Sequence, residues 1–177
     1  LLSVGFFCNF TGKQAPLAQL PFFFLGAGFM LVETKGITEL GLAFGNTWQV
    51  IGFMIVGVLL MAYIANLAVS VFELRRPLVP YLLLFASLGV GIWVSRMGGL
   101  PATPFGKMAS ALVLISPLFF SGIVFSTLIA RSGSSLAGAM ALNLLGAMCG
   151  GLLEYNSMYF GFRFLYWLAI GLYLAAA

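Results

Sequence analysis

The stretch Pro21–Thr47, PFFFLGAGFMLVETKGITELGLAFGNT, decides how the chain folds. A glycine-bearing apolar run leads directly into Glu33-Thr34-Lys35 and Glu39, and apolar character then resumes. Three of the chain's 12 charged side chains (eight Lys/Arg, four Glu) fall within those seven residues. The apolar run Leu17–Val32 spans only about 24 Å as a helix, at about 1.5 Å per residue. A bilayer's hydrocarbon core is about 30 Å thick. The helix must therefore draw on the residues that follow, which brings Glu33 to the membrane boundary or into it. A charge at the bilayer centre costs roughly 2.5–3.5 kcal/mol on insertion scales. The three charges are thus expected either at an interfacial helix end, followed by an amphipathic turn to Gly45, or in a buried polar cluster with Gly36 allowing close approach or a bend. Lys35 and Glu39 are four apart, a spacing that pairs them on one helix face. Glu33 has no local partner at a suitable spacing.

Composition agrees with a membrane setting. Of 177 residues, 62% are hydrophobic and 7% charged, and mean hydropathy is +1.12. A soluble domain carries about 25% charged residues, so lipid must cover most of this surface. The pattern predicts an all-α, polytopic helix bundle forming one integral membrane domain over 1–177. The expected spans are 17–33, 48–72, 78–95, 108–130, 136–153 and 162–177. Loops are expected at 8–16, at Glu73–Pro77, over 97–107, at Arg131–Ser135 and across the NSMYFGF connector. Pro21 is expected in the first turn of its helix, and Pro117 inside the fourth span is expected to kink it. The net charge of +4 points to anchoring near anionic headgroups. No basic stripe tracks phosphates, so nucleic acid is not an expected partner. The chain opens on Leu1 rather than Met and is expected to be processed or part of a longer polypeptide. Leu1–Phe7 lacks the basic start and cleavage site of a signal peptide and reads as the tail of an earlier span.

Several chemistries are excluded or weakened. There is no His and no Asp, and the two cysteines, Cys8 and Cys149, are far apart. No metal site, cofactor site or nucleophile–His pair is expected. Gly26-Ala27-Gly28 matches the start of a dinucleotide fingerprint but lies inside a lipid-length run with no preceding strand. The Asn9-Phe10-Thr11 glycosylation pattern is short and common. The polar residues singled out as a framework are Glu33, Lys35, Glu39, Asn66, Asn143, Glu154 and Arg163. Asn66 reads as an interhelical hydrogen bonder. Glu154 could pair with Arg163. Tyr155, Tyr159, Tyr166 and Trp167 read as an interfacial aromatic belt. In the fifth span, Ala139, Asn143, Ala147 and Gly151 recur every four residues, and Gly146 and Gly150 form GxxxG. Gly146, Gly150 and Gly151 are expected to let helices approach closely.

Three stretches carry a resemblance: FLGAGFMLVETKGITELGLAFGNTW (24–48), PLFFSGIVFS (117–126) and ALNLLGAMCGGLLEYNSMYFGFR (141–163). They resemble the membrane region of bacterial spermidine synthase-like proteins, multi-pass relatives of aminopropyltransferases. The resemblance implies a membrane module in the bacterial cytoplasmic (inner) membrane. In that family a soluble Rossmann-type domain accompanies such helices, and this chain has no counterpart of it. No catalytic residue carries over. The expected role is a non-catalytic anchor, scaffold or accessory subunit, with other membrane subunits or a soluble domain of a longer chain as partners. The alternative is a small-cation or polyamine transporter or channel using intramembrane glutamates.

Overall fold

Every described residue stretch is built from helices and short turns, and a computed structural model of the chain describes residues 16–45, 48–72, 77–97, 104–131 and 136–177. Among the described residues six helices carry the architecture: α1 Pro16–Phe44, α2 Trp48–Phe72, α3 Leu78–Arg96, α4 Pro104–Arg131, α5 Leu136–Leu153 and, after these, α7 Phe164–Ala176. Between α5 and α7 lie a 3-10 turn, Glu154–Asn156, and the four-residue α6, Ser157–Phe160. Among the described residues five helical stretches are long and apolar enough to cross a membrane, which marks an integral membrane protein. Helix α7 is apolar but has 13 residues, about 20 Å of helix. It is too short to cross a 30 Å core unaided.

Several boundaries differ from those expected. Helix α1 does not end near Glu33. It begins at Pro16, a residue suited to the first helical position, and runs unbroken through Pro21, Glu33, Lys35 and Glu39 to Phe44. Gly45 follows with φ 93°, the left-handed conformation that closes helices at low cost for glycine. Pro21 therefore sits inside the helix rather than in its first turn. Helix α4 likewise starts at Pro104, ahead of the expected 108, and continues through Pro117. The connector after Leu153 is mostly helical up to Phe160, and the turn comes at Gly161, with φ 82°. Cys8, the Asn9-Phe10-Thr11 pattern and most of the loops expected at 8–16 and Glu73–Pro77 lie outside the described residues.

The core is organised around α1. Helix α5 runs parallel to it, and the two backbones nearly touch. A Cβ at Gly146 would overlap the Phe23 carbonyl oxygen, and one at Gly150 would lie 2.5 Å from the Ala27 oxygen. From the other side, a Cβ at Gly26 would collide with the backbone of Asn143. Helix α7 runs antiparallel to α1, with the Tyr173 ring 2.9 Å from where a Gly28 Cβ would be. Gly26-Ala27-Gly28 is thus a packing device: Gly26 and Ala27 admit α5, and Gly28 admits α7. The GxxxG glycines are used within the chain, against α1.

Gly151 does not take part, since a Cβ there would meet nothing within 4 Å. The reason is helical precession. At about 100° per residue, Gly151 lies about 120° around the helix from Ala139, whereas Gly146 and Gly150 lie within about 20° of it. The packed stripe is therefore Ala139, Asn143, Gly146 and Gly150.

Helices α2 and α4 pack side by side. Ala65 faces Gly122, and Ser126 donates a hydrogen bond to Asn66 Oδ1. Helix α4 connects this pair to the rest through Leu114, Ile115, Leu118 and Val124 in the main core. Phe22 and Phe125 make an edge-to-face contact at 5.6 Å. The outer face of α2, including Ile55, Leu59, Tyr63 and Leu67, is exposed and suits lipid.

Candidate functional site

The polar side chains on α1 are held according to which face they occupy. Thr34 and Thr38 donate to carbonyl oxygens one turn back, at Met30 (2.7 Å) and Thr34 (2.9 Å), and so satisfy themselves within the helix. Lys35 points inward. Its side chain is 2% exposed, against 20% for Glu39, and the two form an ion pair. Among the described residues this is the one ion pair. Its neighbours come from two other helices. Ser95, one residue before the end of α3, donates to Glu39 Oε1 at 2.6 Å. Tyr166, near the start of α7, places its ring 4.8 Å below Lys35 Nζ, a cation–π contact.

This arrangement realises the buried-cluster reading for Lys35 and Glu39, and not the interfacial helix end. With Gln19–Leu42 centred in a bilayer, Lys35 lies roughly 7 Å and Glu39 roughly 13 Å from the midplane, at about 1.5 Å per residue. Both depths fall within the core's half-thickness of about 15 Å. An isolated charge there is expensive, and the pair, the hydroxyl and the aromatic face together offset that cost. Tyr166 is accordingly buried at 2% exposure and is not part of an aromatic belt. Tyr155, Tyr159 and Trp167 remain exposed.

A cavity of about 350 Å³ opens beside the pair. Lys35, Thr38, Glu39 and Leu42 of α1, Ser95 of α3 and the turn Phe160–Arg163 line it. Arg163 is exposed and makes no hydrogen bond or ion pair with any described residue. The turn depends on Gly161, whose φ of 82° and ψ of 160° are costly for residues with a Cβ.

The other framework residues lie elsewhere. Asn66 and Asn143 line a second crevice of about 190 Å³, together with Ser121 and Ser126. Glu33 is half-buried with no hydrogen-bond or ion-pair partner among the described residues. Glu154 opens the 3-10 turn and does not pair with Arg163. The expected framework is therefore divided: Lys35, Glu39 and Arg163 share one cavity, Asn66 and Asn143 another, and Glu33 and Glu154 join neither. Ser95 and Tyr166, which complete the cluster, carry no sequence signal for that role. Among the described residues His, Cys, Asp and Glu nowhere gather in threes to hold a metal.

No family model, curated protein or solved structure matches the chain.

Proposed function

We propose that the chain is a non-catalytic integral membrane module, an anchor, scaffold or accessory subunit of a larger membrane assembly. The observation that carries this reading is the closed state of the Lys35–Glu39 pair. Glu39 lines the cavity between α1, α3 and the turn before α7, and its Oε1 already receives Lys35 and Ser95. A pathway for cations needs carboxylates free to exchange partners, and Glu33 and Glu154 share no cavity with Glu39. Close α1–α5 backbone packing also favours a rigid body over one that rearranges. The resemblance to the membrane region of spermidine synthase-like proteins, and a place in the bacterial inner membrane, belong to this same proposal.

Native mass spectrometry of the protein gently extracted from its source membrane tests the reading. A module is recovered with other subunits, or within a polypeptide much heavier than 18.9 kDa. Recovery as a lone chain of that mass overturns it. The transport alternative has its own assay. Proteoliposomes that take up labelled spermidine or a small monovalent cation, with uptake lost in Glu39→Gln, would put transport in its place.

A further inference from the structure

We infer that the cavity beside Lys35 binds a singly charged phosphate ester at the membrane surface. This goes beyond the module reading and holds or fails independently of it. Three charged groups line the cavity, Lys35 and Arg163 against Glu39, which leaves one net positive charge. Lys35 is almost fully buried and its charge is fixed in place by Glu39. Arg163 has no partner among the described residues, so its five donors are open to a ligand. Guanidinium groups match the geometry of phosphate oxygens and grip them through paired hydrogen bonds. A cation entering this cavity would meet two positive charges and a carboxylate whose near oxygen is already occupied. An anion meets the reverse.

Depth and lining suit an ester carried on lipid. With the α1 span centred, Leu42 lies roughly 17 Å from the midplane, just outside a half-core of about 15 Å. This is the level of lipid phosphates. Leu42, Phe160 and Phe162 form an exposed apolar rim around the cavity, against which acyl chains can lie. A phosphodiester carries one negative charge and matches the net charge of the lining. A soluble phosphate ester offers the same chemistry, and the test separates the two.

The purified protein is delipidated in detergent and titrated, by native mass spectrometry, with phosphatidylglycerol, with a diacylglycerol of the same chains, and with glycerophosphoglycerol, the soluble phosphodiester left when phosphatidylglycerol loses its acyl chains. Arg163→Gln and Arg163→Lys are run beside the wild type. Arg163 is exposed, so neither change removes a packed group, and an unaltered melting temperature verifies the fold. Phosphatidylglycerol should bind in preference to diacylglycerol, about tenfold more weakly to Arg163→Gln, with partial recovery in Arg163→Lys. Saturation by phosphatidylglycerol but not by glycerophosphoglycerol assigns a lipid headgroup. Equal occupancy by both assigns a soluble ester. Binding of diacylglycerol as tight as that of phosphatidylglycerol, or the same affinity in wild type and Arg163→Gln, would overturn the inference.

Discussion

Removing Lys35 alone should harm the protein more than removing its partner with it. Lys35→Met keeps the length and most of the apolar stem of the side chain but leaves Glu39 facing Ser95 and a tyrosine ring without its cation. Breaking one side of a buried ion pair costs about 3–5 kcal/mol, because the remaining charge is left without a partner. Glu39 retains 20% exposure, and water reaching its free oxygen should reduce the cost to about 2–4 kcal/mol. In the double variant Lys35→Met/Glu39→Leu no charge remains to be stranded. Replacing a whole buried pair by apolar groups is often neutral or stabilising, and here the surrounding phase is lipid. Ser95 then loses its acceptor but can turn to a backbone carbonyl, a change of about 0.6 kcal/mol for an average interhelical bond in a membrane. The assay is a double-mutant cycle on reversible unfolding in mixed micelles. Glu39→Leu strands Lys35, the more buried of the two, so each single variant should be less stable than the double variant, with a coupling of at least about 2 kcal/mol. Additive effects, or a double variant less stable than Lys35→Met, would refute the claim that the pair is held as a closed unit.

Three further expectations follow from the packing. Gly146→Ala should cost on the order of 3 kcal/mol or prevent assembly, since its Cβ overlaps the Phe23 carbonyl, whereas Gly151→Ala should be silent; thermal melts of the two proteins compare them directly. Tyr81→Phe should lose about 1 kcal/mol, because the hydroxyl donates to the Ala176 carbonyl at 2.7 Å and ties the end of α7 to the start of α3; hydrogen exchange should quicken in the last turn of α7 and not in α5. Glu33→Gln should leave stability unchanged or raise it slightly, since no described residue pairs with the carboxylate within the span, and a loss above about 1 kcal/mol in the same unfolding assay would reveal a partner.

Fold class was readable because apolar length is a direct consequence of the solvent: a span must cross about 30 Å of hydrocarbon whatever its sequence. The Lys35–Glu39 pairing was readable as well, since four residues return to the same helix face. The depth of the pair was not. An apolar run of 16 residues looks like a span that stops at Glu33, and only neighbouring helices decide whether the next turn can enter lipid. Those neighbours contribute Ser95 and Tyr166, both far off in the chain and ordinary in type. Tyr166 looked like a belt residue because tyrosines at helix ends usually face headgroups; its ring turns inward because Lys35 offers it a cation. Gly151 was misplaced for a geometric reason, a strict four-residue repeat drifting around a helix of 3.6 residues per turn. Glu154 and Arg163 looked like a pair across a loop, but the segment between them is mostly helical, and Gly161 directs Arg163 toward the cavity.

The cluster also bears on the order in which the protein is made. Glu39 emerges from the ribosome 56 residues before Ser95, and Tyr166 arrives with the last described helix. Among the described helices, the one with the most charge thus meets the bilayer before the helices that cover it. Until α7 docks, Lys35 has only its own helical neighbour for company, so α1 should remain with the insertion machinery or at the membrane surface rather than settle in lipid. A stalled chain in which a long soluble linker follows Gly161 should keep α1 cross-linked to the translocation channel, and one in which the same linker follows Ala177, so that α7 has left the ribosome, should release it. Release of both alike would mean that α1 is stable in lipid before the fold closes over it.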